Sequence, residues 1–218
     1  MKRLNWISMI LIVLLLTALA PLMVAQDEGM AEPVVQSSTV HRFSDMSEVD
    51  GGFAHLTRFE NGVTMAVSTN DLVQGEVYTV WWVIFNEPEN CSDGVCDVDD
   101  VLIVQDGIVP RDEDGNRLMN MEGIAGANVS IQHAAGGYAQ DSTLHTSASL
   151  GIEDVPGIIL GPGLLDAQNA EIHLVIRTHG PAVEDAFANQ ISTFGGGCEP
   201  MDALPCDDVQ FAVFTPPM

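Results

Sequence analysis

Lysine is almost missing from this chain of 218 residues: Lys2 is the only one, and seven basic residues face 31 acidic ones. The formal net charge of −24 excludes nucleic acid and anionic membrane surfaces as partners, because both require a basic protein surface. Without a second lysine the chain also lacks a Schiff-base lysine and a Walker-type phosphate loop outside its first residues. Cations, either screening or bound, are the partners that such a surface favours.

Motifs for nucleophilic and zinc-dependent hydrolysis are also missing. The chain contains neither a Gly-x-Ser-x-Gly elbow nor a His-Glu-x-x-His helix. Paired carboxylates remain open as an alternative, since 31 acidic residues offer many pairs for glycoside hydrolysis. The sequence therefore favours a role without catalysis, with a saccharide hydrolase as a lesser alternative.

Long apolar runs are absent except at the start of the chain. Lys2 and Arg3 precede an apolar run that extends from residue 4 to residue 20, which is the pattern of a secretory signal peptide. We expect residues 1–25 to be cleaved off, with an uncleaved N-terminal anchor as the alternative. The mature protein is then secreted or extracytoplasmic, with a flexible lead-in over 26–38 and a single domain over 39–218.

Cysteine is scarce and even in number, which fits export. Cys91 lies close to Cys96 in sequence, and Cys198 lies close to Cys206. In an exported chain this predicts two disulfides, and local pairing is the favoured one of three connectivities. Neither pair has the spacing of zinc ligands, and no cysteine adjoins a histidine in sequence, so we expect no zinc or redox role for them.

Helical periodicity is missing after the leader, and alternating patterns replace it. Two extended runs flank Asn61-Gly62, which predicts a β-hairpin. Residues 78–85 are apolar on both alternating faces, as in a buried central strand, so Trp81 and Trp82 are expected in the core rather than against a sugar. Further runs follow at residues 101–104, 128–133, 143–150, 170–178 and 209–215. The fold class predicted is all-β: an antiparallel β-sandwich or partly open barrel of about eight or nine strands.

Three histidines form a candidate transition-metal site. A hairpin around Gly136-Gly137 would place His133 opposite His145, and His173 from a neighbouring strand would complete a site for copper or zinc. The alternative is that these histidines are scattered and hydrogen-bonded over a sheet surface.

Two acidic segments are candidate calcium sites. Asp112, Asp114 and Asn116 place oxygen ligands at alternate positions beside a glycine, but Gly123 stands where an EF-hand needs its closing glutamate. The alternative is an Asp-Gly turn between strands. A second acidic group surrounds the first cysteine pair: Asp93, Asp97, Asp99 and Asp100.

Several strings resemble, as a set, an uncharacterised group of exported bacterial β-rich proteins. They are Tyr78-Thr-Val-Trp-Trp-Val-Ile-Phe-Asn86, Ala170-Glu-Ile-His-Leu-Val-Ile-Arg-Thr-His-Gly-Pro181 and Phe194-Gly-Gly-Gly-Cys198. The resemblance implies no activity and no catalytic residue. Our first expectation is therefore an acidic, exported binding or structural module at the cell surface or in the medium, with an extracellular ligand and with calcium as a candidate stabilising ion. A histidine-ligated metal protein is the alternative.

Overall fold

The protein is built from one antiparallel sheet of nine strands. A computed structural model describes residues 32–113, 117–198 and 206–217, which belong to one compact unit spanning residues 31–218. The strands are β1 (Val34–Arg42), β2 (Glu48–Phe59), β3 (Gly62–Thr69), β4 (Glu76–Phe85), β5 (Val129–Tyr138), β6 (Leu144–Gly151), β7 (Ile158–Leu160), β8 (Glu171–Pro181) and β9 (Asp208–Phe214). Their order across the sheet is β6-β3-β2-β1-β9-β8-β4-β5-β7. The sheet curls into a half-barrel, which confirms the all-β prediction and selects the partly open barrel.

In the described ranges, helices are few and short. They are α1 (Met121–Gly126), α2 (Phe187–Gln190) and three 3-10 turns at Pro88–Asn90, Ser92–Gly94 and Val98–Asp100. Among the described residues, no helix reaches the length and apolarity that crossing a bilayer requires. The predicted signal peptide lies outside the described residues.

The Asn-Gly hairpin forms as the sequence predicts. Phe59 pairs with Gly62 at the closed end of β2 and β3. A side chain at position 62 would collide with the Leu150 carbonyl of β6, so glycine here allows the close approach of a third strand. The hairpin therefore sets the register of β2, β3 and β6 together.

Strand β4 lies between β8 and β5 in the sheet, and both of its faces are buried. On the inner face, Trp82 joins a large apolar cluster with Leu56, Leu174 and Phe214. On the outer face, Trp81 packs in a second cluster that residues 86–128 help to cover, with both cysteines of the first pair. Both tryptophans are at most 2% exposed, which confirms their place in the core.

Arg58 projects from β2 into the inner core and is fully buried. Its five N–H groups find five neutral oxygens, and this uses every donor that a guanidinium has. Nε donates to Gln36 Oε1, Nη1 donates to the carbonyls of Ala167 and Ala170, and Nη2 donates to those of Phe214 and Thr215. Burial lowers the pKa of Arg58 to about 10, so the group remains charged at neutral pH and joins β2 to β1, β9 and the segment before β8.

Three sequence expectations differ from the structure. The flexible lead-in over 26–38 is wrong from residue 34 on, because Val34–Arg42 pairs with β2 as a strand. Residues 101–104 form no strand, only the isolated bridge between Leu102 and Met119. Strands β5 and β6 do not pair as a hairpin, because β5 pairs with β4 and β6 pairs with β3. In each case partners distant in sequence decided the outcome, and alternation alone does not reveal them.

Candidate functional site

The outer side of strands β6, β3, β2 and β1 forms a regular open face. Antiparallel register aligns its side chains into three rows of four, because residues directly opposite each other point to the same side of a sheet. The rows are Ser149-Thr64-Thr57-Val35, Ser147-Ala66-His55-Ser37 and His145-Ser68-Phe53-Thr39. We call these twelve residues the open face.

The open face contains no Asp, Glu, Lys or Arg among its twelve residues, although the chain has 31 acidic residues. Seven carry a hydroxyl group and two are histidines. Ser37 Oγ lies 2.8 Å from His55 Nδ1, and the rings of Phe53 and His55 lie 5.2 Å apart. The face is therefore neutral, polar and partly aromatic.

The open face carries a shallow depression. Phe53, Ala66, Ser68, His145 and Ser147 line it. Groups on neighbouring strands are about 4.8 Å apart and groups two residues apart along a strand are about 6.8 Å apart, as sheet geometry dictates. The arrangement presents hydroxyl donors and acceptors on a repeating lattice rather than in a closed pocket.

A second, buried polar centre lies where β8 meets the glycine-rich segment after α2. His179 on β8 is completely buried, and its Nδ1 lies 3.7 Å from Cys198 Sγ and 3.8 Å from Cys206 Sγ. The two cysteines form a disulfide, as do Cys91 and Cys96, so both predicted local pairings are confirmed. Sequence spacing gave no sign of this contact, because His179 lies 19 residues from Cys198.

Hydrogen bonds fix the tautomer of His179. Its Nδ1 lies 2.8 Å from the Gly196 carbonyl, which only accepts, so Nδ1 carries the proton. Its Nε2 lies 2.8 Å from Thr79 Oγ1, which also accepts a hydrogen bond from Trp81 Nε1 at 2.7 Å. Burial lowers the pKa of His179. The ring is therefore held neutral, with its protonated nitrogen facing the carbonyl and the sulfurs.

The glycine-rich segment approaches His179 closely because it lacks side chains. A Cβ at Gly196 would collide with the Asn189 carbonyl, and Gly197 has a φ of +76°. Gln190 holds the other side: its Nε2 donates to the carbonyls of His179 and Pro181. The segment makes a tight turn beside the disulfide, in which the Cys198 amide donates to the Gly195 carbonyl at 3.0 Å.

An arginine cluster closes the edge of this centre. Arg177 donates to Asp208 at 2.8 Å, and its guanidinium lies 4.0 Å from the centre of the Phe194 ring. Arg117 also pairs with Asp208. Three of the six arginines of the chain, Arg111 included, lie around Asp207 and Asp208, which ties the long segment after β4 to the last strand.

The three histidines of the predicted metal site do not come together. His133 lies on β5 and its Nε2 is 3.0 Å from the Ile191 carbonyl. His173 lies on β8, two strands away, and its Nε2 is 2.7 Å from Glu171 Oε1. His145 lies on β6 at the far edge and belongs to the open face. Since β5 and β6 do not pair, the register that this prediction required is wrong.

The acidic segment at the first disulfide is organised around Asp100, which is 1% exposed. Its two carboxylate oxygens accept hydrogen bonds from the backbone amides of Ser92, at 2.7 Å, and Asp97, at 3.0 Å. Burial raises the pKa of Asp97. The Asp100 carboxylate therefore holds the disulfide loop in place.

The other calcium candidates remain a prediction. Asp112 is described, but Asp114 and Asn116 lie outside the described residues. Within the part of the chain that is described, one group of three histidine, cysteine or acidic side chains has its ligand atoms within 4.8 Å of one another, and it is His179 with Cys198 and Cys206.

Comparison with known proteins assigns neither centre. No protein-family model, no curated protein and no solved structure matches this chain. A function for this protein must therefore be inferred from the chemistry of its own residues.

Proposed function

We propose that this protein is an extracytoplasmic, non-catalytic binding module whose open face binds a neutral polysaccharide. The observation that carries the proposal is the complete lack of acidic and basic side chains among twelve aligned outward-facing residues in a chain with 31 acidic ones. Two disulfides support the extracytoplasmic setting, because disulfides persist in oxidising compartments.

Charge argues for a neutral ligand. An anionic ligand is repelled by the net charge of −24, and a cationic one would be drawn to the acidic surface elsewhere. On the open face an uncharged molecule can bind without displacing the counterions of the acidic surface.

Hydroxyl chemistry argues for a sugar polymer. Serine and threonine hydroxyls both donate and accept, so they match the hydroxyl groups of a saccharide in either direction. Phe53, which is 45% exposed, offers a ring for the apolar face of a sugar. Because the face is open and repeats in two directions, it suits an extended chain that makes many weak contacts at once.

The same composition argues against a hydrolase on this face. Glycoside hydrolysis requires two carboxyl groups on either side of the scissile bond, and none of the twelve residues of the open face supplies one. Binding without cleavage is the role that fits.

The test is sedimentation of the purified mature protein with insoluble cellulose and chitin, together with a glycan array that carries neutral and uronic-acid saccharides. We expect retention on a neutral polymer. Ser147→Asp introduces a carboxylate into the middle row and should weaken binding by about tenfold, which is about 1.4 kcal/mol. Ser44→Asp is the matched control, because Ser44 is exposed outside the open face, and it should bind as the native protein does.

Self-association is the competing explanation of a neutral face. If ultracentrifugation shows a dimer that Ser147→Asp dissociates while no polysaccharide is retained, the face is an interface between copies and the proposal fails. It also fails if only the uronic-acid saccharides bind.

A further inference from the structure

The centre at His179 has the donor set of a soft-metal site, and this inference is independent of the open face. Sulfur from two cysteines with nitrogen from one histidine is a ligand set that zinc uses in proteins. Here Nδ1 of His179 lies 3.7 Å and 3.8 Å from the two sulfurs. While the sulfurs are bonded to each other they are not thiolates, and thiolates are what bind the metal.

The distances fit a tetrahedral ion once the disulfide is open. With zinc–sulfur bonds of about 2.3 Å and zinc–nitrogen bonds of about 2.05 Å, tetrahedral angles place nitrogen about 3.6 Å from sulfur and the two sulfurs about 3.8 Å apart. The nitrogen–sulfur separations already have nearly this value. The sulfur–sulfur separation has to increase, and the Gly196 carbonyl, 2.8 Å from Nδ1, has to move aside to admit the ion.

The surroundings of His179 suit a ligand because its other nitrogen is already engaged. A metal-binding histidine normally donates its second N–H to a fixed acceptor. When Nδ1 binds an ion, the ring proton moves to Nε2, which then donates to Thr79 Oγ1, 2.8 Å away. The same oxygen keeps its hydrogen bond from Trp81 Nε1, since a hydroxyl oxygen has two lone pairs.

Exposure separates this disulfide from the other one. Cys91 is 6% exposed and Cys96 is 4% exposed, whereas Cys198 and Cys206 are half-buried. A soluble reductant therefore reaches the second pair more readily. In the part of the chain that is described, the first pair belongs to no group of three histidine, cysteine or acidic ligand atoms, so it serves as an internal control.

We propose that reduction of Cys198–Cys206 converts this centre into a zinc site formed by His179 Nδ1 and the two thiolates. A dithiol donates two electrons and two protons to the disulfide, so that two protein thiols form and the dithiol becomes a cyclic disulfide. Zinc binding then releases the two thiol protons, while the histidine stays neutral by moving its proton between nitrogens.

The experiment measures metal content in the oxidised and the reduced mature protein. A phosphine serves as reductant, because a dithiol would itself chelate zinc; it is oxidised to its phosphine oxide with oxygen from water. After buffer exchange we expect about one equivalent of zinc on the reduced protein and almost none on the oxidised protein. Cobalt in place of zinc should give the thiolate-to-metal absorption and the intense visible bands of a tetrahedral site.

Variants locate the ion. Cys198→Ser with Cys206→Ser should abolish zinc binding, and Cys91→Ser with Cys96→Ser should leave it at about one equivalent. His179→Gln should weaken zinc binding by at least tenfold. Because His179 is buried and replacing it can prevent folding, Thr79→Val provides a second test, with an expected 10- to 100-fold loss of zinc affinity through the outer hydrogen bond.

Three results would overturn the proposal. They are an equal zinc content in the oxidised protein, no zinc in the reduced protein, and zinc that disappears with the first cysteine pair instead of the second. None of them bears on polysaccharide binding, which is measured on the oxidised protein.

Discussion

Gln36 Oε1 accepts a hydrogen bond of 2.6 Å from Nε of Arg58, and this contact ties β1 to the most completely buried cation of the described core. The arginine needs no carboxylate in contact, because four backbone carbonyls complete its set of acceptors. An unpaired buried charge is costly. Here the five hydrogen bonds of the guanidinium offset that cost, and they hold together segments that are distant in sequence.

Replacing Arg58 should be among the most destabilising single changes. Arg58→Met leaves the buried carbonyls of Ala167, Ala170 and Phe214 without their guanidinium donor, and we expect a loss of about 3–5 kcal/mol in the free energy of unfolding. Urea denaturation measures this. Arg42→Met is the matched control: Arg42 pairs with Asp71 near the surface, so its loss should stay within about 1 kcal/mol. Equal losses in the two variants would contradict this account of Arg58.

Stability should fall as the pH drops below about 6.5. Burial lowers the pKa of both His133 and His179 from 6.5, so the unfolded chain takes up protons before the folded protein does. Unfolding therefore becomes more favourable as the pH falls from 7.5 to 5.5, a window above the ordinary titration of carboxylates. Urea denaturation across this range measures the slope.

A histidine variant identifies the source of that slope. His133→Gln removes one of the two rings whose pKa is lowered and should make the dependence on pH shallower. His145→Gln, which removes an exposed ring of the open face, should leave the slope unchanged. A slope that is the same in all three proteins would point to other groups.

The carboxylate of Asp100 should matter far more than that of its neighbour. Asp100→Asn replaces one of two acceptor oxygens by a donor that faces a backbone amide, and we expect it to cost about 1–3 kcal/mol. Asp99→Asn alters an exposed side chain in the same 3-10 turn and should cost less than about 0.5 kcal/mol. Thermal and urea unfolding of both variants compare the two positions directly, and similar costs would rule out the bracing role of Asp100.

Salt should stabilise the folded protein. A net charge of −24 makes the compact state repel itself, and the Debye length shrinks from about 30 Å at 0.01 M salt to about 10 Å at 0.1 M. The melting temperature should therefore rise with sodium chloride over this range. Calcium at the same ionic strength distinguishes screening from binding: a further rise that a chelator reverses indicates a bound ion. A melting temperature that does not respond to sodium chloride would show that the acidic charges are too widely spaced to destabilise the fold.

Local patterns predicted much of the fold, because they depend on neighbours in sequence. The Asn61-Gly62 turn, the doubly buried β4 and both disulfides all follow from residues close together in the chain. The sites depend on strand order, which alternation does not encode. The predicted contact of His133 with His145 requires a hairpin of β5 and β6, and these strands do not pair. The polar partners of His179 come from Thr79, 100 residues earlier, and from Gly196, 17 residues later.

The open face shows the same limit. Each of its four strands has polar residues at alternate positions, which is visible in the sequence. That twelve outward-facing residues align in three uncharged rows depends on the pairing of β2 with both β1 and β3 and of β3 with β6. The strand register, rather than the composition of each strand, therefore determines that the open face is uncharged.

The final strand has a consequence for how the chain folds. Strand β9 lies between β1 and β8, so the C-terminal residues hold together two halves that are made much earlier during synthesis. During synthesis, the sheet cannot become continuous until the chain has left the ribosome as far as residue 214. Such non-local pairing is slow. Premature termination just before β9 would thus yield two separate sheets with bare edges, prone to aggregate rather than to persist as a shortened but working protein.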